Sequence, residues 1–72
     1  MRTLDLHGMD YEQVVIECHR FLNYNWGKEM KIITGKSNHM KSLVSEIIDK
    51  YRLKYHVGGI TGMEGYIKVY RG

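Results

Sequence analysis

Seventy-two residues make one domain, near the lower limit at which a single core holds a fold unaided. A hydrophobic share of 43% excludes a disordered chain, and the single cysteine, Cys18, excludes an internal disulfide and favours a reducing, cytoplasmic setting. No apolar run approaches membrane-spanning length and no signal-peptide core is expected at the start, so a membrane partner is not expected, while the net charge of +3 suits a polyanion partner without requiring one.

The first predicted element is a strand over residues 2–7. Within it Leu4 and Leu6 alternate with Asp5 and His7, so an apolar pair faces one side and an acid and an imidazole the other. Gly8 marks a turn, and Asp10 is placed to cap a helix, with Gln13 completing a capping-box-like start. Tyr11, Val14, Val15, Cys18, Phe21 and Leu22 then recur at helical spacing, and Gly27 suits the left-handed residue past the helix end. Trp26 is expected to lid the edge of the core.

Residues 30–34 read as a second strand and 35–39 as a polar turn. A second helix carries Met40, Leu43, Val44, Ile47, Ile48 and Tyr51 on one stripe, with Asn38 as the expected N-cap and Lys50 and Arg52 at its cation-favouring end. Residues 54–57 form a short third strand. Residues 58–65 hold four of the eight glycines and read as a mobile connection, and residues 66–70 alternate cleanly as a last strand.

The order βαβαββ implies two right-handed parallel crossovers followed by an antiparallel or loop-joined final pair. Strands buried on both faces would read as continuous apolar runs, and these alternate instead. The expected fold is therefore an α/β two-layer sandwich, a mixed four-stranded sheet with both helices on one face and the other face open.

Three groups of candidate residues converge on or near that open side. Asp5 and His7 stand at the end of the first strand. Thr34, Gly35, Lys36, Asn38 and His39 form the turn after the second, where a helix N-terminus offers N–H groups to phosphate, and Lys41 adds charge nearby. Tyr66, Lys68 and Tyr70 make an aromatic, basic, aromatic stripe on the last strand, a pattern that stacks unpaired bases and contacts a phosphate backbone. Each has a structural alternative: a carboxylate accepting a backbone N–H, a hydrogen-bonded histidine, a tight turn, tyrosines that stiffen a sheet. Cys18 faces the core without a partner for nucleophilic chemistry, and His19 and His56 read as surface residues. One acid and scattered imidazoles make no metal ligand set, so neither a metal nor another cofactor is expected.

The segment Leu4-Asp5-Leu6-His7-Gly8, followed by Ile33-Thr34-Gly35-Lys36-Ser37-Asn38-His39, resembles the small MutS-related (Smr) domain, marked by LDLHG and by a TGxG or HGxG turn. The resemblance spans nearly the whole chain. It implies a βαβαββ sandwich similar to the C-terminal domain of bacterial translation initiation factor three. It also implies endonuclease activity, as DNA nicking or RNA cleavage, with some members acting on messenger RNA at stalled ribosomes. Position by position, Asp5 and His7 would be the catalytic pair, and Thr34, Gly35 and Lys36 would line the substrate site. Ser37 stands where TGxG has its second glycine, which raises the question of a positive φ or close approach there. No ATPase or clamp domain is expected beside the unit, so targeting would be intrinsic or come from the ribosome or another protein.

The leading expectation is an endonuclease acting on RNA in preference to DNA by acid–base chemistry, His7 moving a proton and Asp5 orienting or charging it. Lys36 and the helix N–H groups would stabilise the charge developing on phosphorus. The alternative is a module that holds RNA or a ribosome surface and cuts nothing. A third is a small protein adaptor, which would show an apolar patch on the open face.

Overall fold

The computed structural model describes residues 1–58 and 65–70. The chain runs β1 (Arg2–Asp5), α1 (Tyr11–Tyr24), β2 (Met30–Ile33), α2 (Asn38–Lys50), β3 (Lys54–Val57) and β4 (Tyr66–Tyr70). The strands form one mixed sheet in the order β1-β2-β4-β3, with both helices on one side, so the two-layer α/β sandwich is the fold. β1 pairs with β2 in parallel, and β4 runs antiparallel to both of its neighbours. β2 and β3 therefore point the same way without touching, and the second crossover steps over the slot that β4 fills. The connection expected over residues 58–65 lies outside the described residues except for Gly58 and Gly65.

Alternation decides what each face holds. Leu4, Ile32, Ile67 and Val57 share one cross-strand row, and Met30 and Val69 share the next, all on the helix side. Against them pack Val14, Cys18 and Leu22 of α1, a spacing of four that keeps one stripe inward, and Met40, Val44, Ile47 and Ile48 of α2. Leu6, fully buried, closes the core beyond the end of β1.

Local chemistry sets the element ends. β1 stops at Asp5 rather than His7, because the Asp5 carboxylate accepts the His7 N–H at 2.9 Å and turns the chain, although the Leu6 N–H still reaches Ile33 O. Asp10 caps α1, its carboxylate accepting the Gln13 N–H at 2.8 Å. The cap of α2 is Ser37, not Asn38. Its hydroxyl accepts the Met40 N–H at 3.1 Å from an extended backbone, which makes Asn38 the first helical residue.

Two side chains depart from their expected settings. Tyr11 begins the apolar pattern of α1 yet is exposed, its ring tilted against His39 at 4.8 Å between centroids. His19 is not a free surface residue: its Nδ1 is hydrogen-bonded to the Tyr51 hydroxyl at 2.7 Å, and that hydroxyl also accepts from the Asn23 amide. Trp26 packs its ring 6.3 Å from that of Tyr51 and remains largely exposed.

Candidate nucleic-acid interface

The two motifs meet at the carboxyl ends of β1 and β2. Gly35 takes a left-handed conformation, φ +74°, and a Cβ built on it would stand 3.4 Å from Cδ2 of His7. The imidazole thus lies against the glycine that opens the second motif. Gly65 holds the other side of this corner, its carbonyl accepting the N–H groups of both Thr34, at 2.8 Å, and Gly35, at 3.0 Å. The start of β4 therefore fixes the conformation of the turn after β2.

A cleft of about 420 Å³ opens here, lined by His7, Gly8, Met9, Asp10 and Tyr11 from the first motif and helix, and by Thr34, Lys36, Ser37 and Met40 from the second. His7 and Lys36 are exposed, whereas Thr34 is buried and donates its hydroxyl to Gly35 O at 2.8 Å. Thr34 therefore shapes the turn. The N-terminus of α2 forms one wall, so an anion in the cleft would meet a lysine, an imidazole and the positive end of a helix dipole. Ser37 has φ −73°, so this position needs no glycine, and its hydroxyl serves as the helix cap.

Asp5 and His7 are both exposed, and the His7 backbone N–H donates to the Asp5 carboxylate. The acid thereby orients the residue that carries the imidazole. Because β1 ends at Asp5, strand alternation does not place His7 on the open sheet face, and its side chain lines the cleft beside the N-terminus of α2. Among the described residues no three His, Cys, Asp or Glu side chains come together in a metal-binding group.

Two candidates from the second motif lie elsewhere. Asn38 and Lys41 line a separate groove of about 600 Å³ between α2 and β3, with Ser42, Ser45, Glu46, Asp49, Tyr55 and Val57. Lys41 is buried there. Asn38 and Lys41 are three apart and share one face of α2, as Ser37 and Met40 share the face on the cleft. A step of one residue along a helix turns the side chain by about 100°, so closeness in sequence misplaces both. His39 is tied to the cleft through its ring contact with Tyr11.

The open face carries Tyr66, Lys68 and Tyr70 as expected, but the tyrosines differ in availability. The phenol end of Tyr66 lies over Gly58, where a Cβ would come within 2.2 Å of the ring, and the Lys31 ammonium sits 4.6 Å from its centroid. Tyr66 is thus already engaged with its neighbours, and Tyr70 is the exposed ring of the pair. Tyr11 and Lys31 are the residues that sequence reasoning misses. Tyr11 reads as core because it falls in register with the apolar stripe. Lys31 sits between apolar residues, and only the cross-strand register brings it beside Lys68.

No family model matches the chain, and neither curated proteins nor solved structures give a significant match. Among the described residues, no helix is long and apolar enough to cross a membrane.

Proposed function

We propose that this domain is an Smr-like, RNA-directed endonuclease whose cleavage site is the cleft between His7 and Lys36. The observation that carries the reading is the contact of the His7 ring with Gly35, through which two distant motifs build one cleft beside a helix N-terminus. Imidazole is the side chain suited to proton transfer near neutral pH. His7 takes the proton from the attacking hydroxyl, and the leaving oxygen is reprotonated from solvent. Lys36 and the N-terminal N–H groups of α2 stabilise the charge that develops on the phosphate. Asp5 acts as a positioning residue through the backbone of His7.

A second reading, a module that binds RNA without cutting it, is favoured by one specific feature: the Asp5 carboxylate holds a backbone N–H. Purified domain incubated with labelled single-stranded RNA, structured RNA and duplex DNA, with and without EDTA, separates the two. Cleavage of RNA that depends on His7 supports the enzyme. Binding with no cleavage under any metal condition leaves the binding module.

A further inference from the structure

The open sheet face places cations side by side where a stable sheet would avoid them. Register pairs Thr3 with Lys31, Lys31 with Lys68 and Lys68 with His56, so one row crosses all four strands with two lysines and a histidine in adjacent places. Residues directly opposite on neighbouring strands lie roughly 4.5–5.5 Å apart at Cβ, and like charges there are destabilising. The strand positions of this face hold one carboxylate, Asp5, at the far corner and already bonded to the His7 N–H. Neither lysine of the row pairs with an acid among the described residues.

The row is also braced. Gly58 gives up a side chain where the Tyr66 ring lies, and that ring carries the Lys31 ammonium. The negative face of the ring attracts the ammonium and restrains Lys31 beside Tyr66. Beside the row stands Tyr70, partly exposed and paired in register with Lys54.

We propose that this face is a phosphate track for single-stranded RNA. Lys31, Lys68 and His56 contact consecutive phosphates of one strand, Tyr70 stacks a base, and the Gly58–Tyr66 pair presents Lys31. The occupant is chosen on charge complementarity together with the aromatic ring, a pairing that fits an unpaired strand better than an acidic protein or a lipid surface. The inference rests on the RNA-binding part of the proposed function and extends it from the cleft to the sheet.

The test measures binding of a uridine homopolymer by fluorescence anisotropy across a salt series. For wild type, a log–log slope of magnitude about 2–5 is expected, falling by about 0.7 for each phosphate that is no longer neutralised. Lys31→Gln and Lys68→Gln should each lower the slope by that step and weaken binding several-fold, whereas Lys50→Gln, on α2, should not change it. Tyr66→Leu should weaken binding while every charge remains. In the free domain Lys68→Gln should raise the melting temperature at low salt, and the gain should vanish at high salt. Equal slopes in wild type, Lys31→Gln and Lys68→Gln, an equal fall in Lys50→Gln, or salt-independent binding would each overturn the track. His7-dependent cleavage with those slopes unchanged would leave the nuclease and remove the track. Lowered slopes in a domain that cuts nothing would leave the track and remove the nuclease.

Discussion

The Asp5 carboxylate accepts the backbone N–H of His7 at 2.9 Å, so the acid of the first motif fixes where the histidine stands. An asparagine at position 5 keeps an oxygen in the same place and loses only charge. Asp5→Asn should therefore retain most of the activity and stability, while Asp5→Ala loses the turn, costs about 0.5–1.5 kcal/mol and lowers cleavage. Parallel melts and rate measurements on the two variants check this. A large rate loss in Asp5→Asn with an unchanged melt would return the acid to a direct electrostatic role on the imidazole.

Ser37 provides a second contrast. Its hydroxyl caps α2 and its φ is ordinary, so Ser37→Ala should cost about 1 kcal/mol and Ser37→Gly only a few tenths, read by denaturant unfolding. Restoring the glycine of the TGxG pattern would thus be nearly silent in stability. If Ser37→Gly instead costs as much as alanine, the cap does not account for the serine.

Much of this arrangement was legible in the chain. Leu4 against Asp5, and Ile67 and Val69 against Tyr66, Lys68 and Tyr70, gave the two faces, because a period of two leaves no freedom once one face is buried. Leu6 and His7 lie past the end of β1, where the alternation no longer applies. The bounds of β3 and β4 also followed from pattern and flanking glycines. The slot that β4 takes between β2 and β3 did not, since pairing partners distant in sequence leave no local mark. The same reason hid the Lys31–Lys68 row. Lys41 was misplaced by the opposite error, in which adjacency along the chain stood in for adjacency in space. His19 was misjudged because its partner, Tyr51, lies at the end of another helix.

Gly58 tests the bracing of the sheet face. A Cβ there would come within 2.2 Å of the Tyr66 ring, so Gly58→Ala must push the ring and the Lys31 ammonium aside. The expected loss is about 1–3 kcal/mol. Tyr66→Ala in the same chain should cancel most of the steric part, giving a clear coupling in the double-mutant cycle. Strict additivity would mean that ring and glycine do not meet.

Cys18 makes a prediction about pH. Burial, with a smaller contribution from the Glu17 carboxylate, pushes its thiol from the ordinary 9.0 up to about 11. A raised folded pKa means that the unfolded chain loses its proton first. The stabilising contribution is therefore complete below about pH 9 and lost as pH rises through 11. It amounts to on the order of 2–3 kcal/mol. Unfolding measured between those limits should fall less steeply for Cys18→Ala than for wild type, and identical slopes would contradict the burial of the thiol. Alkylation of Cys18 in the native protein should be correspondingly slow.

His7 decides whether the cleft performs chemistry. The side chain is exposed, so His7→Ala should change stability by no more than about 0.5 kcal/mol. If the imidazole moves the proton, cleavage should fall by about 10²–10⁴-fold, since that is what a positioned acid–base group contributes. RNA affinity should stay within a few-fold, because Lys36, the helix N-terminus and the sheet lysines remain. His7→Gln keeps a hydrogen-bonding side chain but cannot take up the proton, so it should be as inactive as alanine. Recovery of activity in His7→Gln would assign the ring to substrate contact, and a matched loss of affinity and rate would assign it to recognition. The enzyme reading needs loss of rate without loss of binding.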